Sequence, residues 1–233
     1  VSHVSNRRLK DVSLVLRKGE ILGIGGLVGA GRTELLRALY GADEITEGEI
    51  ILKGKKINIT SPAVALKNSI ALLPEDRKQQ GVIMGMSMDH KISFAILDRL
   101  SRFAVIKKKQ EKDICNKLVA DLSIKISSLL QPVMKLSGGN QQKVVLAKCL
   151  ATECNVLFID EPTRGIDVGA KQEIYKIMRQ LADNGTSIIM VSSEMSELIG
   201  MSDRIIVMKE GQVVKELMPE EYSQELILNY AAL

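Results

Sequence analysis

The chain has 233 residues, 45% hydrophobic and 26% charged, which is a globular composition that argues against disorder and suffices for one large α/β core or a core with a subdomain. A net charge of +4, from 32 basic against 28 acidic residues, is too mild for a nucleic-acid footprint, and 3% aromatics without Trp weakens any reading built on base stacking. No apolar run approaches the ~18 residues of a membrane span and no signal-peptide pattern opens the chain, so a soluble protein is expected.

The start at Val1 lacks an initiator Met and reads as the cut end of a longer polypeptide. Val12–Leu16 alternates and predicts a strand, Lys18-Gly19-Glu20 a turn, and Ile21–Gly25 a buried strand feeding a glycine-rich loop. A helix should run from about Gly31 to a C-terminal glycine, Gly41. Ile50–Ile59 predicts a hairpin turning at Gly54, and the stretch from Met88 to Leu130 reads as mostly helical with no strong strand. Asn140–Leu150 patterns as an amphipathic helix with Val144, Val145 and Ala147 on its apolar side. Val156–Ile159 is an apolar strand that ends in Asp160-Glu161-Pro162. Ile174, Ile177, Met178 and Leu181 recur at helical spacing, Ser187–Val191 is a second buried strand, and Ile205–Met208 with Gln212–Val214 flanks a turn at Gly211. Strands alternating with helices imply an α/β fold with a mainly parallel sheet, and the two hairpins are expected to form an antiparallel β annex. Cys115, Cys149 and Cys154 form no CxxC pair and are expected to be reduced, mostly buried thiols.

Three stretches carry chemistry. In Gly26-Leu27-Val28-Gly29-Ala30-Gly31-Arg32-Thr33, the glycines free successive backbone N–H groups to turn toward a phosphate at a helix N-terminus, and Thr33 offers a hydroxyl to Mg²⁺. Arg32 stands where a phosphate loop normally has Lys; it keeps the charge on a bulkier, planar, forked group. A glycine-rich turn without a ligand is the alternative for this stretch alone. Asp160 and Glu161 end an apolar strand, where unpaired carboxylates are costly; one carboxylate for Mg²⁺ and one to polarise an attacking water divide the work of hydrolysis, against an ordinary Asp-Glu-Pro turn. Ser137-Gly138-Gly139 opens the helix after it. Ser137 is a good N-cap, but a cap needs no glycine pair, whereas bringing backbone N–H groups against a phosphate does.

Together these motifs resemble the nucleotide-binding domain of an ATP-binding cassette transporter, with Ser137-Gly138-Gly139 as its signature. The glycine loop with Glu34, Leu73-Pro74-Glu75-Asp76-Arg77-Lys78, Pro162–Lys171 and Ser192-Ser193-Glu194-Met195-Ser196-Glu197 are similar to the second cassette of bacterial monosaccharide importers. The resemblance implies one cassette domain over residues 1–233, with an ATPase core and β annex (1–87 and 151–233) and an inserted helical subdomain carrying the signature (88–150). It implies ATP and Mg²⁺ as cofactors, with Gly26–Thr33 and Ser137, Gly138 and Gly139 binding nucleotide. Thr33, Glu75 and Asp160 would bind the metal, and Glu161 and Ser193 would be catalytic. Implied partners are a first cassette of the same subunit or a second such subunit, a membrane permease and, indirectly, a sugar-binding protein; no nucleic acid is implied. The implied place is the cytoplasmic face of the bacterial inner membrane.

Several positions depart from the general cassette pattern. Glu75 replaces the usual glutamine, Ser193 the usual switch histidine and Arg32 the lysine, and no aromatic precedes the loop to stack adenine, His3 being a poor substitute. A serine can hydrogen-bond a phosphate but cannot carry positive charge, and losing the adenine platform costs ~1 kcal/mol or more of affinity. A degenerate half-site that binds ATP but turns it over slowly is therefore expected, its signature helix completing the partner's site. The alternative is a regulatory module that holds ATP without hydrolysis. A DNA-repair or chromosome-maintenance ATPase shares these motifs but needs a long coiled coil between them, and no sustained heptads occur here.

Overall fold

The computed structural model describes residues 1–81, 83, 85–102 and 105–232, and the side chains of all of these but Lys78 and Arg102. Phe103 and Ala104, which fall within the expected helical subdomain, and Val82, Met84 and Leu233 lie outside the described residues. The chain divides into two units: Val1–Leu72, Asn155–Glu161 and Arg179–Leu233 form the first, and Leu73–Cys154 with Pro162–Met178 the second.

The first unit is built on strands β1 (Ser2–Ser5), β2 (Ile21–Gly25), β3 (Glu47–Leu52), β4 (Lys55–Ile57) and β5 (Ile70–Leu73, its last residue on the unit boundary). Helices α1 (Arg32–Leu39) and α2 (Pro62–Lys67) lie between them in sequence. In the second unit α3 (Met88–Ser93), α4 (Leu97–Leu100), β6 (Ser101–Arg102), β7 (Val105–Ile106), α5 (Lys108–Asp121) and α6 (Gly138–Ala151) follow. The chain then returns through β8 (Val156–Asp160), α7 (Val168–Asp183), β9 (Ser187–Val191), α8 (Met195–Met201), β10 (Arg204–Lys209), β11 (Gln212–Leu217) and α9 (Gln224–Ala232).

Six strands form the main sheet in the order β11-β10-β2-β9-β8-β5. The pairs β10–β2, β2–β9 and β9–β8 are parallel, and only β11 is shown to run against its neighbour. Strands β2 and β9 are buried along their whole length, as expected of apolar runs with both faces covered. Leu22, Ile24, Phe158, Ile189 and Val191 of the sheet meet Leu35, Leu36 and Leu39 of α1 in the core. In the second unit α3 packs on α5 and α6, burying Met88, Ile92, Cys115, Val144 and Leu146.

The buried strands, the helix ending before left-handed Gly41 and the turns at Gly54 and Gly211 follow the sequence pattern. Four points differ. Val12–Leu16 is not a strand: Val12 makes one bridge to Val4 and Leu14 bonds Val1, with no ladder beyond them, so alternation here records burial of Val12 and Leu14 and partial burial of Leu16 against the core. The 205–214 hairpin is no annex, because β10 pairs in parallel with β2 inside the main sheet; the separate antiparallel sheet is β1-β3-β4. The short antiparallel pair of strands β6 and β7 interrupts the helical stretch. Helix α6 is buried nearly all round rather than amphipathic. Its Gln141, Gln142 and Lys143 are buried, with Lys143 paired to Glu173 at 2.8 Å and bonded to the Ser123 carbonyl at 3.1 Å.

Candidate functional site

Three neighbouring parallel strands, β2, β9 and β8, deliver their carboxyl ends to one edge of the first unit, with both Ile24 and Asp160 in register with Val191. Ligands in such sheets bind beyond this edge. The glycine loop follows β2, Glu161 follows β8, and Ser192-Ser193 follows β9.

The loop cannot be built from ordinary residues. Gly26 has φ 148°, and a Cβ there would lie 2.5 Å from the Met208 carbonyl oxygen. Gly31 (φ 97°) is the N-cap of α1 and supplies no side chain to its first N–H groups, so the helix start stays available to an anion. Ala30 closes the loop inward through its N–H to the Leu27 carbonyl at 3.0 Å, while Val28 is 95% exposed.

Arg32 does not extend along the loop. Its Nη1 donates to the Ser192 carbonyl at 2.9 Å, tying α1 to the end of β9. Thr33 stands close enough to the Asp160 carboxylate to lower its pKa. Asp160 is 3% exposed, and its Oδ1 has no hydrogen-bond partner among the described residues. Burial pushes its pKa up to about 6, with nearby Thr33 pulling down, Glu161 pushing up and Arg32 pulling down. A buried, unpartnered carboxylate oxygen beside a threonine hydroxyl suits a hard, oxygen-seeking cation such as Mg²⁺. Among the described residues no cluster of three His, Cys, Asp or Glu side chains is set to cage a metal.

Glu161 sits in left-handed backbone (φ 51°), a conformation that costs a non-glycine residue ~1–3 kcal/mol. Its N–H donates to the Val191 carbonyl at 2.9 Å, and its Oε2 accepts from the Ser193 hydroxyl at 3.0 Å. Sequence reasoning assigned Glu161 and Ser193 separate roles; the structure makes them a pair. His3 is exposed and bonds Asp11 at 2.6 Å.

Ser137, Gly138, Gly139 and Glu75 belong to the second unit. Ser137 Oγ accepts from the Asn140 N–H at 3.4 Å and the Asn140 Nδ2 at 3.0 Å, so the N-cap is real. Packing accounts for Gly139 more than for Gly138. A Cβ on Gly139 would lie 2.5 Å from Ala170 Cβ, and one on Gly138 would lie 3.0 Å from Arg77 Nη2. Glu75 is ion-paired with Arg164. Asp167 caps α7 by accepting from the Ala170 N–H at 2.9 Å.

The family model described as ABC transporter matches residues 9–164. The chain belongs to the ABC transporter family. Within that family it is 49% identical over 221 residues to the ribose import ATP-binding protein of Oceanobacillus iheyensis, covering 95% of this chain and 45% of that protein. It is 48% identical over 229 residues to the xylose import ATP-binding protein of Pseudomonas fluorescens, covering 98% and 44%. The chain thus spans less than half the length of these curated relatives. Among solved structures, a nucleotide-free ATP-binding cassette from an ABC transporter matches with TM-score 0.82 at 20% identity, covering 100% of this chain and 93% of that one. A dimeric post-hydrolysis cassette bound to ADP and phosphate matches with TM-score 0.78 at 21% identity, covering 95% and 97%. These likenesses establish the ABC-type P-loop fold, mixed and mostly parallel.

Two features of this ABC fold escaped sequence reasoning. The partner of Arg32 is a backbone carbonyl 160 positions away, which no side-chain pattern signals. Arg77, quoted only as part of a motif, holds the carbonyls of Arg164 and Gly165. The Arg-Gly dipeptide at 164–165 is a turn signal that points to this loop but not to its partner.

Proposed function

We propose that this chain is an ATP-binding and ATP-hydrolysing cassette of a monosaccharide import system, the second of two in its subunit, working with a first cassette and a membrane permease. The observation that carries the reading is the convergence of the glycine loop, the Thr33–Asp160 contact and the Ser193–Glu161 pair at one sheet edge. The ribose- and xylose-import names of relatives near half identity support the substrate class. Coverage of less than half of those relatives supports a single-cassette piece of a longer subunit. No helix among the described residues is long and apolar enough to cross a membrane, in keeping with attachment through a permease on the cytoplasmic face. Residues 1–87 and 151–233 serve as the core and 88–150 as the signature-bearing subdomain.

On this reading Gly26–Thr33 bind the phosphates through backbone N–H groups, and Thr33 and Asp160 hold Mg²⁺. Glu75 is a further candidate metal contact that would have to release Arg164 to serve. When bound, Mg²⁺ neutralises charge on the phosphates. Glu161 accepts the proton of the attacking water, and Ser193 fixes the orientation of its carboxylate. Arg32, engaged by the Ser192 carbonyl, must reorganise to reach a phosphate, which supports slow turnover at this half-site. Ser137, Gly138 and Gly139 would complete the partner cassette's nucleotide site. Calorimetric titration of Mg-ATP with Thr33→Ala as comparison tests the assignment. Binding that the substitution weakens about ten-fold or more supports it; binding indifferent to Thr33 contradicts it.

A further inference from the structure

Arg77 occupies an unusual place in the second unit. It opens a π-helical turn, Arg77–Gly81, closed by the Gly81 N–H donating to the Asp76 carbonyl five residues back at 3.2 Å. Such turns are rare and concentrate at functional positions. Its Nη1 and Nη2 donate to two consecutive carbonyls, Arg164 at 2.7 Å and Gly165 at 3.1 Å, which the left-handed backbone of Gly165 (φ 67°) brings to one guanidinium. The same Nη2 lies against Gly138, where a Cβ would come within 3.0 Å. The side chain of Arg164 returns to Glu75, two residues before Arg77, so the two arginines interlock. Arg77 Nε is buried without a partner among the described residues. A buried donor left without a partner is uncommon and calls for an explanation.

We infer that Arg77 is a positioning residue: its guanidinium clasps the 164–165 loop to the start of the signature helix, so that Ser137-Gly138-Gly139 and the segment following Glu161 keep one geometry. This rests on the function proposed above, under which the signature serves the partner's site and Glu161 serves this one. The clasp requires arginine, because two carbonyls and a glycine face need a planar fork, and the compact ammonium of lysine bridges them poorly.

The experiment compares the intact protein with its Arg77→Lys and Arg77→Ala variants by hydrogen exchange and by ATP turnover. Exchange over 162–167 and 137–141 should quicken about ten-fold in both variants while 144–150 stays protected. Turnover at saturating ATP should fall about ten-fold with KM changed less than about two-fold, and lysine should not rescue it. Unchanged exchange in the two segments, full rescue by lysine, or loss of protection at 144–150 as well would each overturn the clasp, the last by making Arg77 a general structural support. A wild-type protein without ATP turnover would sink the proposed function, and the exchange result would still decide the clasp.

Discussion

Asp160 is buried beside Thr33 with one oxygen unpartnered, and its pKa of about 6 stands above the ordinary value of 3.8. Between these values the unfolded chain has released its proton and the folded chain has kept it. The contribution to stability is therefore complete below pH 3.8 and is lost as pH rises through about 6. Asp160→Asn should stabilise the metal-free protein at pH 7.5 by up to about 3 kcal/mol and do little at pH 4. Urea unfolding in chelator at both pH values checks this, and parallel pH curves for the two proteins would refute it. Ser193 offers a second test. Its hydroxyl donates to Glu161, so Ser193→Ala should slow single-turnover hydrolysis about ten-fold while leaving ATP affinity within about two-fold. Lost affinity with unchanged chemistry would instead make Ser193 a phosphate contact.

Helix α6 tests how packing and function share the signature. Alanine at Gly139 gains at most ~1 kcal/mol of helix propensity, but its Cβ would lie 2.5 Å from Ala170 Cβ, an overpacking that costs ~1–3 kcal/mol. Gly139→Ala should therefore destabilise the protein on balance. Gly138→Ala meets Arg77 Nη2 at 3.0 Å and the Gly165 carbonyl oxygen at 3.3 Å, looser contacts than at Gly139, and should destabilise less in denaturant unfolding. The reverse order would show that the contact with α7 is not what excludes a side chain. At this scale the sequence was legible where signals are contiguous. The glycine loop, the apolar strand ending in Asp160-Glu161 and the turns at Gly54 and Gly211 each declare themselves within ten residues. Strand neighbours did not declare themselves: β10 looks like a hairpin arm locally and becomes a central parallel strand only through pairing with β2, some 180 positions earlier. Val12–Leu16 erred the other way, since alternation reports burial and cannot supply a ladder partner. Side-chain-to-carbonyl contacts such as Arg32 to Ser192 left no trace in the pattern, because every residue carries a carbonyl.

The proposal for the whole molecule is asymmetry. The loop, with Arg32 drawn onto β9 and Ser193 bonded to Glu161, is arranged to bind nucleotide and to hydrolyse it slowly. The exposed Ser137 cap at the start of α6 is arranged to serve a second cassette. The two roles sit in different units of the chain, so they separate under mutation. The decisive measurement is the ATP turnover of the assembled transporter carrying Ser137→Arg or Arg32→Ala, each in an otherwise intact subunit. The account predicts that Ser137→Arg abolishes transport-coupled turnover while Arg32→Ala leaves roughly half or more of it. Equal loss from both would contradict the asymmetry and make this cassette an ordinary hydrolytic half.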